Sequence, residues 1–235
     1  MNVRIRQFFE RLRREEAGIT LAELIVAMSL SVLILTVAGS FLVSSQKAAK
    51  VAGAVSANTR VAATAMNEIG RNLRAATDNP VPTGDDSQFA FQYASATSVR
   101  FFAYVNLDSS LSQAVEVQVT LDPARKVITE TKWTGTAVAG NSSYYAFPLA
   151  TGPALSATPT STRTLATSVT STTLFTYSNG DDGVLGSPTA PVGQADLANI
   201  RKVGLSVAVG RSADDPNAVS LQNTASMPNI VMGAS

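Results

Sequence analysis

Residues 18–43 read GITLAELIVAMSLSVLILTVAGSFLV, and the only charged side chain in that stretch is Glu23. About 25 apolar residues wound as an α-helix suffice to cross the hydrocarbon core of a bilayer. Just ahead of it, residues 1–18 carry Arg4, Arg6, Arg11, Arg13 and Arg14 against Glu10, Glu15 and Glu16, and read as a basic leader that stops where the apolar run begins. A secretory signal peptide has a shorter apolar stretch that itself ends in a small-residue cleavage site, so the arrangement here is a different one. The arginines ahead of the span outnumber Lys47 and Lys50 behind it. That bias predicts a single-pass protein of the cytoplasmic or inner membrane with its N-terminus inside and the bulk of the chain outside.

Beyond the span there is no proline before Pro80, and apolar residues recur at Ala48, Val51, Val55, Ala62, Met66, Ile69, Leu73 and Ala76. Steps of three and four draw one apolar stripe along a helix, so residues 19–76 are expected to form a single helix roughly 85 Å long. Its inner part, 19–43, is assigned to lipid, and its outer part, 44–77, to the surface of a domain. After the turn-rich segment 78–87 the period becomes two: Val115, Val117, Val119 and Leu121 alternate with Glu116, Gln118 and Thr120, and Val203, Leu205, Val207 and Val209 alternate likewise. Such strands bury one face. Further strands are expected at 88–93, 98–105, 126–133, 168–177 and 218–223, with Asp122-Pro123-Ala124-Arg125 closing a hairpin. The fold class read from this pattern is α+β, a long N-terminal helix packed on an antiparallel sheet of six or seven strands within a β-rich domain, 78–235. Residues 134–167, rich in Ser, Thr, Gly and Ala with Pro148, Pro153 and Pro159, read as a long surface loop.

The 235 residues contain no Cys and no His. That removes the thiolate and imidazole ligands of most zinc and transition-metal sites, and the nucleophile–base pairs that need His. A formal net charge of +1 gives no global footprint for nucleic acid. The reading is of a protein that is not an enzyme and has no cofactor. The loop Ser178-Asn179-Gly180-Asp181-Asp182-Gly183 offers oxygen donors from Asn179, Asp181 and Asp182 for calcium, or else makes only a turn. Trp133, Tyr144, Tyr145 and Phe147 form either a ligand-binding patch or packing beneath a loop. Asn141-Ser142-Ser143 matches a glycosylation acceptor formally, and the bland reading is preferred for it.

The run Gly18-Ile19-Thr20-Leu21-Ala22-Glu23-Leu24-Ile25-Val26-Ala27 resembles the class III signal of type IV prepilins. The resemblance implies that a prepilin peptidase cuts between Gly18 and Ile19 and methylates the new amine of Ile19. Glu23 then becomes the fifth residue of the mature chain and the assembly contact for a neighbour's terminal amine. Most members of that family begin the mature chain with phenylalanine and carry a larger aliphatic residue before the glutamate; Ile19 and Ala22 depart from this. Ser40, after Gly39, stands where many carry a helix proline. Residues 175–181 and 196–203 are similar to the J-type minor pseudopilins and large minor pilins. The implied partners are the prepilin peptidase, other pilins or pseudopilins, the membrane and a filament assembly platform. The implied function is that of a minor pilin or pseudopilin in a type IV pilus or a type II secretion-like filament. A filament-tip adhesin and a membrane-anchored extracytoplasmic enzyme are the alternatives.

Overall fold

The computed structural model describes residues 20–82, 88–105, 113–228 and 230. Its helix, α1, runs Leu21–Arg74, and the chain divides into two compact units, Met1–Ala52 and Gly53–Ser235.

In the first unit the side chains of α1 are exposed throughout. Its most apolar window of 18 residues has a mean hydropathy of 2.3, so this helix is long and apolar enough to cross a membrane. The hydroxyls within the apolar stretch do not oppose that. Ser29, Ser31 and Thr36 donate to the carbonyls of Ile25, Ala27 and Val32, four residues back, and Ser40 donates to Val37. Each is satisfied by its own helix, as hydrocarbon surroundings require.

In the second unit, α1 buries Ala62, Ala65, Met66, Ile69 and Leu73, the expected stripe from Ala62 onward. Among the described residues eleven strands follow: β1 Phe91–Ala94, β2 Ser98–Val105, β3 Gln113–Asp122, β4 Val127–Thr134, β5 Thr136–Val138, β6 Asn141–Ala146, β7 Ser161–Thr167, β8 Phe175–Ser178, β9 Val184–Leu185, β10 Lys202–Val209 and β11 Val219–Ser226. They make an antiparallel five-stranded sheet in the order β1-β2-β3-β4-β7, a four-stranded sheet β11-β10-β8-β9 and the hairpin β5-β6. The predicted α+β class is therefore present, with the helix against antiparallel sheets. The single sheet of the prediction is three. One reason is local: Ser168 has φ 58°, a left-handed conformation that stops strand geometry between β7 and β8.

The register puts Val115, Val117, Val119 and Leu121 on the helix face beside Phe101, Val99 and Ile128. The two larger sheets share one core, joined where the β1–β2 turn meets β8: Leu174 and Phe175 both donate to the Ala96 carbonyl, and the Tyr177 hydroxyl donates to that of Ser95. The hairpin at 122–127 forms as expected, with Asp122 Oδ1 accepting from the amides of Ala124 and Arg125.

Two expectations are corrected. Residues 134–167 are not one long loop, because they contain β5, β6 and β7. Their Ser/Thr-rich sequences lack alternation because β7 is an edge strand, exposed along Ser161 to Thr164. Nor does β3 bury one face only: Glu116 is fully buried, because residues 147–157 cross the outer face of the sheet.

The unit boundary at Ala52 has a testable consequence. A fragment from Lys47 onward, without the apolar stretch, is expected to fold as a soluble monomer with mixed helix and sheet by circular dichroism. Within it, Ile69→Ala should cost about 2–5 kcal/mol in urea unfolding, since the residue is fully buried. A loss below about 1 kcal/mol would mean that α1 does not dock as described.

Candidate functional site

At the N-terminal end of α1, Thr20 precedes the first helical residue and Glu23 lies in the first turn. The Thr20 amide donates to Glu23 Oε2 at 2.9 Å and its hydroxyl donates to the same oxygen at 3.0 Å; the Glu23 amide donates back to Thr20 Oγ1 at 3.2 Å. This reciprocal pair is a capping box, which satisfies helix N-H groups that otherwise lack partners. The carboxylate also complements the positive end of the helix dipole. Its sequence signal is Thr20-Leu21-Ala22-Glu23, the T-x-x-E spacing ahead of an apolar run. Glu23 is exposed and is followed by exposed Leu24, Ile25, Val26 and Met28. Gly18 and Ile19, the expected cleavage junction and methylation position, lie outside the described residues.

The oxygen-rich loop is organised as a turn. Asn179 Oδ1 accepts from the amides of Asp181 and Gly183 at 3.1 and 2.7 Å, and Asp182 Oδ1 receives the Lys202 ammonium at 2.5 Å. The Asn179 oxygen is thus directed at backbone amides and the Asp182 carboxylate at a cation, leaving Asp181 as the carboxylate of the three without such a partner in these bonds. Among the described residues no three His, Cys, Asp or Glu side chains gather as metal ligands. Asp215 likewise caps its own turn, accepting from the amides of Arg211 and Asn217.

The aromatic group is not gathered into one exposed patch. Trp133 is 6% exposed and donates from Nε1 to the Ala157 carbonyl, and Phe147 packs on Phe102 with ring centroids 4.9 Å apart. Gly135 permits this, since a Cβ there would fall 2.6 Å from the Phe147 ring.

Two ionic clusters, one wholly and one partly buried, had no sequence signal. Arg100 and Glu116, both wholly buried, approach to 3.0 Å. Burial lowers the affinity of Arg100 for its proton and pushes the Glu116 carboxyl up to about 7, burial outweighing the attraction of Arg100. On the helix face, Glu130 accepts from Asn72 of α1 at 2.5 Å and pairs with Lys132 at 3.1 Å and Arg163 at 2.6 Å; Glu68 of α1 pairs with Arg163 and with Arg71. These bonds tie helix, β4 and β7 together.

No protein-family model matches the chain, and no curated protein matches it.

Proposed function

We propose that the chain is a type IV pilin-like subunit, a minor pilin or pseudopilin that is processed at Gly18-Ile19, held in the membrane by the first part of α1 and recruited into an extracytoplasmic filament. The observation that carries this reading is the division of one helix: residues 21–52 are uncovered and apolar as far as Val43, with a single carboxylate in the first turn, while the part from Gly53 onward belongs to a folded unit. A helix exposed on all sides needs either lipid or other helices around it. A filament core supplies the second when the membrane no longer supplies the first. In this reading the protein is structural and has no catalytic residues. Its partners are the prepilin peptidase, other pilins and the assembly platform.

The capping box favours one competing reading. Because Thr20 already satisfies Glu23, an ordinary single-pass anchor accounts for that carboxylate as well. Processing separates the two. Intact-mass measurement of protein co-expressed with an active prepilin peptidase is expected to show a chain beginning at Ile19, and Gly18→Asp is expected to block the cut. A chain that retains residues 1–18 under those conditions, or a Gly18→Asp chain cleaved at the same bond, sinks the pilin reading.

A further inference from the structure

The crossing segment 147–157, FPLATGPALSA, has an unusual attachment. Among the described residues no backbone-to-backbone hydrogen bond involves it; side chains of the sheet hold it by its carbonyls. Arg100 donates to Ala150 and Gly152, Gln118 Nε2 donates to Pro153 at 2.8 Å, and Trp133 Nε1 donates to Ala157 at 3.0 Å. The neighbouring structure fixes its ends: Phe147 packs on Phe102, and the Thr160 amide donates to the Lys132 carbonyl at 2.8 Å. Beneath it, Glu116 is wholly buried beside Arg100, and its Oε2 has no hydrogen-bond partner among the described residues. Burial with an unpartnered oxygen disfavours the anion, and the guanidinium of Arg100, 3.0 Å from the other oxygen, offsets this only in part.

We propose that residues 147–157 are a strap gated by Glu116, closed on the sheet while that side chain is protonated and released more readily once it ionises. The argument is one of linkage. Under the strap the Glu116 carboxyl is pushed up to about 7 by burial; with the strap lifted it meets water and returns toward the ordinary carboxylate range. The closed form therefore holds the proton more tightly than the open one. Closure is strongest below the open-state value, weakens as pH rises from about 5 through 7, and levels off above that. Among the described residues the other titratable groups on this face are Arg100 itself, Tyr93 opposite it on β1, and Tyr104 with its neighbour Tyr145, whereas the strap contributes none. Glu130 and Lys132 occupy the opposite face of the sheet.

Trp133 is the one tryptophan of the chain and its indole N-H bonds to the strap, so it reports closure directly. The experiment is hydrogen exchange by NMR on the full chain in detergent micelles, with the indole normalised at each pH to N-acetyltryptophanamide and the backbone amides of β10, each normalised to its own unstructured rate at that pH, as the measure of whole-fold opening. Normalised indole exchange is expected to be at least about tenfold faster at pH 7.5 than at pH 5, with β10 unchanged, and Glu116→Gln should remove the difference. A flat indole profile overturns the proposal. So does a parallel loosening of β10, which would mean that ionisation acts on the whole fold, or a Glu116→Gln chain that keeps the wild-type pH dependence. If that variant does not fold, the wild-type comparison of Trp133 with β10 still decides.

Discussion

Arg100→Met is expected to destabilise the chain by about 3–5 kcal/mol, the usual cost of removing one partner from a wholly buried ion pair. The loss has two sources. Glu116 keeps its buried position without a cation, and the carbonyls of Ala150 and Gly152 lose their donors. The first source depends on pH: where Glu116 is protonated it needs no counter-charge, so the destabilisation should be smaller at pH 5 than at pH 8. Replacing both partners, Arg100→Met with Glu116→Leu, should recover most of the loss, since a buried pair exchanged for apolar residues of similar volume is often neutral or better. Urea unfolding of the single and double variants at the two pH values is the measurement. A single variant within about 1 kcal/mol of wild type at pH 8, or a double variant no better than the single, would show that the pair is not a coupled buried unit.

The second large effect concerns assembly and rests on the proposed function. Glu23→Ala is expected to reach the membrane and to be processed normally, yet to fall at least about tenfold in filament recruitment relative to wild type. The capping box allows a sharp control. Thr20→Val removes the hydroxyl that caps Glu23 but keeps the carboxylate, and as a lost cap it should cost about 1 kcal/mol of local helix stability. If Glu23 serves only its own helix, the two substitutions should behave alike. If Glu23 meets a neighbour's amine in surroundings of low dielectric, only Glu23→Ala abolishes recruitment. Co-purification of each variant with sheared filaments, alongside its level in the membrane fraction, decides between these outcomes. Wild-type recruitment of Glu23→Ala would remove it as an assembly contact, whereas loss from the membrane fraction would favour the simple anchor.

Much of the fold was legible because its signals are periodic. The spacing of Ala62, Met66, Ile69 and Leu73 placed the buried side of α1, and the alternation in β3 and β10 placed the strands that form the middle of each large sheet. These elements bury apolar side chains, and burial leaves a period. What escaped has no period to leave. Strand β7 is exposed on both faces over most of its length, so its composition resembles a loop. Glu116 sits at the polar phase of an alternating strand, where solvent is the default, and the distant segment 147–157 crossing that face makes the position an interior one. Glu130 replaces an apolar residue on the helix face because Asn72 and Arg163, far away in sequence, arrive to satisfy it, and Lys132 pairs with Glu130 in turn. At the candidate site, the basic leader, the apolar run and Glu23 are legible directly, and the T-x-x-E spacing carries the local bond between Thr20 and Glu23.

The attachment of residues 147–157 through carbonyls bears on how this chain tolerates change. A carbonyl is common to every amino acid, so Arg100, Gln118 and Trp133 grip the segment without reading which side chains it carries. Leu149, Thr151, Pro153, Ala154 and Ser156 face outward. Substitution at those five positions should therefore leave the hydrogen bonds intact, making the segment a surface whose chemistry can be rewritten while the sheet beneath it stays the same.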